Sequence, residues 1–232
     1  MKGTGRNGSR ANGKVAASDA KAARSNDPEQ TRRDILTVAT QEFADKGLSG
    51  ARIDEIAART RTSKRMIYYY FGSKEGLYIS VLEEAYRTIR NIERDVNVDH
   101  LSPEQALREL VGFTFDRHQQ NPDFVRLVMN ENLHSGKFIA RSANIPALNV
   151  PAIDTIRRIV ERGKTSRAFR RDVDPTDLHM SISALCFYSV SNRYTFSTIF
   201  KADMTSSKAL AARKKSIIAT ILAAVRPPRE TP

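Results

Sequence analysis

Residues 51–78 read ARIDEIAARTRTSKRMIYYYFGSKEGLY. Ile53, Ile56 and Ala57 recur at three- and four-residue spacing, which gives a short helix one apolar face. Thr60-Arg61-Thr62 interrupts that period. Ser63 follows as an N-cap, because its hydroxyl can accept from an early backbone N–H that has no partner within the helix. A second helix from Lys64 to Tyr70 turns Ile67 and Phe71 inward and leaves Lys64, Arg65, Tyr68 and Tyr69 outside. Gly72-Ser73 ends it and caps a third helix that starts at Lys74. Two short helices joined by a tight turn, the second one cationic and aromatic, have the shape that enters a DNA major groove. Arginine and lysine pair with guanine acceptors there, so Arg65 and Lys64 are the candidates for base contact, with Met66 offered to a thymine methyl. Of the aromatic run, Tyr70 and Phe71 read as core and Tyr69 does not.

The run SKRMIYYYFGSKEGLY, preceded by FADKGLSGARIDEIA, resembles the signature of the TetR family of transcriptional regulators. Ala51-Arg52 before the first helix and Tyr-Tyr-Phe before Ser-Lys-Glu resemble in detail the branch containing pyrimidine- and pyridine-catabolism regulators. The specific likeness spans about Thr31 to Leu82; beyond it the likeness is one of helix number and length. The turn departs from the family pattern, since Thr60-Arg61-Thr62 stands where Ala-Gly-hydrophobe is usual. A non-glycine residue in a left-handed turn is strained. The resemblance implies that Tyr68, Tyr69 and Lys74 anchor phosphates, helped by the backbone at the capped turns Ser63 and Ser73. It places Arg52 where the family commonly has a phosphate-contacting threonine.

The chain has 232 residues and a formal net charge of +12, with 40% hydrophobic residues and one cysteine. Cys186 therefore forms no internal disulfide and suits a reducing compartment. No apolar run approaches the span of a bilayer, and the basic N-terminus lacks the apolar segment of a signal peptide, so a soluble, cytoplasmic chain is expected. The charge does not mark the DNA site: residues 27–100 hold twelve basic and thirteen acidic side chains. Only the window from Arg52 to Lys74 is positive, six basic residues against Asp54 and Glu55.

Residues 1–26 are rich in Gly, Ala, Ser, Lys and Arg and are expected to be a disordered basic tail, compatible with an arm that follows DNA. Asp27-Pro28-Glu29-Gln30 is a helix start, with Asp27 capping and Gln30 in the reciprocal position of a capping box. That helix carries Ile35, Ala39 and Phe43 and stops at Gly47. Thr31, Arg32 and Arg33 in its first turns are further phosphate contacts in this reading. A long helix runs from Lys74, and Ser102-Pro103-Glu104-Gln105 opens another. Pro146 and Pro151 are too close for an unbroken helix between them. A helix runs from Pro151 to Gly163, and the basic stretch after it reads as a solvated loop. Asp174-Pro175 starts one long helix towards Phe200, and the last helix spans about Ser206 to Val225. The expectation is an all-α chain of about nine helices: a basic tail (1–26), a three-helix helix-turn-helix domain (27–75), an effector-binding and dimerisation domain (76–226) and a short tail (227–232).

In the family the last two helices form a four-helix bundle with a second copy. The candidates for that surface are Leu185, Tyr188, Asn192 and Phe196, then Ala211, Ile218, Ala219 and Leu222. The middle helices are where the family binds small effectors. Phe113, Phe115, His118, Met129, Asn132, Phe187 and Asn192 are the candidates, since such pockets are apolar with a few convergent polar groups. The expected partners are an operator duplex, a second copy of the chain and a small molecule. Catalysis is not expected: the histidines have no metal-ligand spacing, no phosphate-binding or dinucleotide glycine motif occurs, and no cofactor is called for. The alternative is a ligand-blind architectural DNA-binding dimer, which a body without a cavity would favour.

Overall fold

The computed structural model describes residues 27–94 and 98–228. The expected basic arm lies outside them. The described residues form α1 (Pro28–Gly50), α2 (Ile53–Thr60), α3 (Lys64–Phe71), α4 (Lys74–Arg94), α5 (Pro103–Gln120), α6 (Pro122–Leu133), α7 (Asn144–Thr165), α8 (Pro175–Ser191), α9 (Arg193–Phe200) and α10 (Ser207–Val225). A single 3-10 turn lies at Ile139–Arg141, and no strand occurs among the described residues.

Most helix starts follow from their caps. Asp27 accepts from the N–H groups of Glu29 and Gln30 at 3.0 and 3.2 Å. The reciprocal bond, from the Asp27 N–H to Gln30 Oε1, is not made, because that oxygen accepts from Arg33 Nη2 at 3.0 Å while Nε2 donates forward to Asp34 Oδ1 at 2.7 Å. At α5 the box does close between Ser102 and Gln105. Asp174 caps α8 and Ser206 caps α10. Gly47 adopts φ 65° and ψ 177°, which breaks α1 before its last turn and redirects the chain into α2.

Two corrections concern the body. Helix α7 runs unbroken across both prolines from Asn144 to Thr165. Pro146 falls in the first turn, where its missing N–H has no intrahelical partner to lose. Pro151 does cost one helical bond, but the helix is held by burial of Ile156, Ile159 and Val160. The helix expected to run from Pro175 to Phe200 is instead two, α8 and α9, divided at Asn192 with φ −107° and ψ 7°. Ser189 and Thr195 bond back to the carbonyls of Leu185 and Asn192, and Arg193 Nε bonds that of Val190, offering the backbone alternatives to a continuous helix.

Two apolar cores result. The head core joins Ile35, Ala39 and Phe43 of α1, Ile56 of α2, Ile67 and Phe71 of α3 and Leu77, Tyr78 and Val81 of α4. It also takes Leu127 of α6, Phe138 and Ile145, so it extends beyond the first four helices. The body core packs Leu107, Val111 and Phe115 of α5 against Ile159 of α7, Ile182 and Cys186 of α8 and Ile217 and Ile221 of α10. Each large aliphatic or aromatic side chain among them contributes roughly 1.5–3 kcal/mol relative to exposure. Helix α6 pins the two together: Arg126 Nη1 reaches Asp45 Oδ1 at 2.9 Å, and Asn130 Nδ2 donates to the Phe43 carbonyl at 3.2 Å.

Candidate nucleic-acid interface

Helix α2 ends in a Schellman motif, with the Thr62 N–H bonding the Ala57 carbonyl at 3.0 Å and the Arg61 N–H bonding that of Ala58 at 3.2 Å. Arg61 is the left-handed residue, φ 53°, where glycine costs least. Ser63 then caps α3 by accepting from the Met66 N–H at 3.2 Å. Ile67 is fully buried and Phe71 nearly so, with the Arg32 guanidinium 5.6 Å above the Phe71 ring. Arg32 is thereby part of the support under α3. Burying those two positions forces the opposite face outward: Tyr69 is 78% exposed and Tyr68 44%. Arg65 and Met66 are exposed beside them, and Arg65 has no ion-pair or hydrogen-bond partner among the described residues.

Lys64 is differently placed. Its Nζ lies 2.6 Å from Asp54 Oδ1 of α2. The bond to Asp54 raises the Lys64 pKa, and Asp54 is lowered in turn. The two expected base readers are thus unequal, and Lys64 must leave Asp54 to meet a base. Both groups are exposed, so that exchange is a small one. Lys74 Nζ lies 3.4 Å from the Ser49 carbonyl and sits at the start of α4. A Cβ at Gly76 would overlap the Phe71 carbonyl oxygen, so glycine lets α4 abut the end of α3.

Arg52 flanks α2 without a side-chain cap, and its backbone N–H donates to Glu42 Oε1 at 3.2 Å. Glu42 is buried in α1 and also holds Lys46 Nζ at 2.8 Å and Arg59 Nη1 at 3.8 Å. Burial alone would raise its pKa; the bonds from Lys46 and Arg52 and the charge of Arg59 reverse that and hold it below the usual carboxylate value. This carboxylate sets α2 against α1, and sequence reading passed over it because an acid on an exposed-looking helix gives no sign of burial.

The body holds a part-open cavity of about 200 Å³. Of the expected pocket residues, His118 and Phe187 line it. Phe115 instead belongs to the body core, one residue round α5 from the lining face of Leu110, Thr114 and His118. Phe113 lies beneath the Arg117 guanidinium, Met129 and Asn132 are on the surface, and Asn192 ends α8. The residues that sequence reading missed are Tyr86 and Arg90 of α4, Phe124 and Val128 of α6, and His179 and Ser183 of α8. Their i, i+4 pairing was available as a signal. His118 Nδ1 lies 2.7 Å from the Thr114 carbonyl, so Nδ1 carries the proton. Burial and then the nearby Arg90 depress His179, and His118 is depressed by burial despite that bond.

On α8 to α10, Tyr188 is exposed and stacks edge-on with Phe196 at 6.3 Å, while Ala211 and Ala219 face solvent and Leu185 is half-buried. Ile218 and Leu222, expected on the same outer surface, are buried in the chain's own core, because Ile217, Ile218, Ile221, Leu222 and Val225 form the inner stripe of α10. The outer face also includes Met180, Tyr194, Ile199 and Phe200, each more than 60% exposed. No helix is long and apolar enough to cross a membrane among the described residues.

A helix-turn-helix with an exposed cationic and aromatic second helix, joined through α4 to a helical body, defines a DNA-binding regulator of transcription. The profile described as "Bacterial regulatory proteins, tetR family" matches residues 35–81, and that described as "Tetracyclin repressor-like, C-terminal domain" matches residues 103–221. The HTH-type transcriptional repressor NicS of Pseudomonas putida is 40% identical over 188 residues, 81% of this chain and 89% of that protein. The HTH-type transcriptional regulator RutR of Escherichia coli is 30% identical over 102 residues, 44% of this chain and 48% of its own length. The crystal structure of the regulator SCO4942 from Streptomyces coelicolor superposes with a TM-score of 0.62 at 26% identity, covering 85% of this chain and 99% of that one. The chain belongs to the TetR family.

Proposed function

We propose that the protein is a repressor that binds a near-palindromic operator as a homodimer, one α3 in each of two major grooves, and is released by a small molecule in the body cavity. The observation that carries this is the division of α3. Ile67 and Phe71 are fixed in the head core while Arg65, Met66, Tyr68 and Tyr69 stand in solvent. In this reading Arg65 reads bases, Tyr68, Tyr69 and Lys74 hold phosphates, and Arg52 and the capped turns at Ser63 and Ser73 position the head. The outer apolar face of α8 to α10 supports pairing with a second copy, which sets two half-sites about one duplex turn apart, roughly 34 Å, or a multiple of it. The NicS relative is named as a repressor, which favours repression over activation.

The cavity favours a ligand-responsive body over an architectural one. Helix α6 contributes Val128 to the cavity wall and Leu127 to the head core, so a ligand that displaces α6 acts on the head directly. A ligand favouring the conformation that cannot bind DNA would shift the population away from the operator. Selection of bound sites from random duplexes tests the DNA half: an inverted repeat is expected, and failure to enrich any sequence would overturn it. Sedimentation of the free protein tests pairing, with a monomer at micromolar concentration as the refuting result.

A further inference from the structure

Lys137 and Arg141 lie in the connection between α6 and α7, both exposed, and neither forms an ion pair among the described residues. The connection is tied down on both sides of them. Glu131, buried near the end of α6, accepts the Phe138 and Ile139 N–H groups on Oε1 at 2.7 and 2.9 Å. Ser142 Oγ donates to Glu83 Oε1 of α4 at 2.6 Å. Phe138, between these ties, is buried in the head core, and the two cations share its ring. Lys137 Nζ lies 5.6 Å and Arg141 Cζ 6.0 Å from the ring centre. A cation already held over an aromatic ring has less freedom to lose when it meets an anion.

Their position says which anion. The Phe138 ring also meets Tyr78 of α4 edge-on at 5.4 Å. Tyr78 is four residues past Lys74, so the two share one face of α4. The cations over Phe138 therefore stand beside the face that carries Lys74, the residue taken above to hold a phosphate. The acid that faces them is Glu75, which is turned back on the start of α4. Its own backbone N–H and the Ser73 hydroxyl hold its carboxyl below the usual range, and the charge of Arg141 adds to this. Duplex DNA carries one charge for roughly each 1.7 Å of its axis, so a cationic surface beside one phosphate contact meets further phosphates.

We infer that Lys137 and Arg141 form a second contact to the operator backbone, borne by the body, on phosphates next to those met by Lys74. This contact presupposes the DNA-binding reading and extends it from the head to the body. Because the connection hangs from Glu131, a shift of α6 moves the contact together with the head.

The test follows binding of the full-length protein to the selected operator by fluorescence anisotropy across a salt series. Each phosphate contact adds about 0.9 to the slope of log affinity against log salt. Lys137→Gln combined with Arg141→Gln is expected to lower that slope by about 2 for each protomer bound, and to weaken specific and random duplexes alike. Lys137→Arg with Arg141→Lys should keep the wild-type slope. Where the double variant melts early, Lys137→Gln alone is read, with a drop of about 1. Arg167→Gln with Arg171→Gln removes the same charge beyond the far end of α7, a helix of 22 residues and roughly 33 Å, and should leave the slope near that of wild type. An unchanged slope in the Lys137 and Arg141 variants, or an equal drop in the far-end variant, would overturn the inference and leave operator binding standing. A wild-type protein that binds no selected duplex defeats the DNA-binding reading itself, and the inference with it.

Discussion

Replacing Glu42 tests how the reading head is held. Its carboxylate accepts from the Arg52 N–H at 3.2 Å and from Lys46 at 2.8 Å, with Arg59 at 3.8 Å. In Glu42→Ala the Arg52 N–H loses a charged acceptor, a bond that contributes about 1.5–3 kcal/mol. Lys46 and Arg59 are 46% and 43% exposed and can turn to water, so their pairs add no more than about 1 kcal/mol. The expected loss is about 2–3 kcal/mol, which lowers the melting temperature by roughly 4–12 °C in a chain of this size. Glu42→Gln keeps an acceptor for Arg52 and should lose less than half as much.

The pH dependence has a definite sign. Because the folded-state pKa of Glu42 lies below its ordinary 4.5, its contribution is complete above that value and is lost as pH falls through the folded-state pKa. The gap in melting temperature between wild type and Glu42→Gln should therefore be wide at pH 7 and close in the acid range. Circular dichroism melts at a series of pH values measure it. A gap that stays constant down to pH 3, or Glu42→Ala melting within 1 °C of wild type at pH 7, would refute the reasoning.

Three further outcomes are expected. Arg61→Gly relieves the left-handed residue at the turn and should stabilise by about 0.5–1 kcal/mol, roughly 1–4 °C, in the same melts, while DNA affinity falls with the lost cation; no rise in melting temperature would contradict the strain. Arg65→Ala should weaken the selected operator by about 1–3 kcal/mol and relax the preference at one base position, whereas Lys74→Ala should weaken specific and random duplexes alike; equal losses on both for Arg65→Ala would remove it as a base reader. Burial pushes the Cys186 thiol up to about 12, so iodoacetamide at pH 8 meets about one thiolate in 10⁴ molecules and labelling should await unfolding; rapid modification of the native protein, read by mass spectrometry, would contradict this burial.

What was legible in the sequence was local. Ser63, Ser102 with Gln105, and Asp174 announce their helices because a cap and its target lie within three residues. Ile53, Ile56, Ile67 and Phe71 declare the head because two short helices must bury one face each. The rest depended on partners distant in the chain. Pro151 looked like a break because nothing near it reveals the packing of Ile156 and Ile159 that holds α7 together. Lys64 looked available because Asp54 reads as an ordinary acid in the first turn of α2. Phe115 went to the core and its neighbour Thr114 to the cavity wall, since a step of one residue on a helix turns a side chain by about 100°.

Leu127 and Val128 are consecutive residues of α6, one locked in the head and the next on the cavity wall. If the cavity takes the proposed effector, substitution at Val128, or one turn back at Phe124, alters molecular taste and structural support in the same stroke. Helix α8 is under no such double bond: it lends His179, Ser183 and Phe187 to the wall and contributes nothing to the head core. On the proposed ligand-responsive reading, descendants that answer to new compounds should have diverged first along α8, and a biosensor bred from this chain should have that helix randomised and α6 left alone.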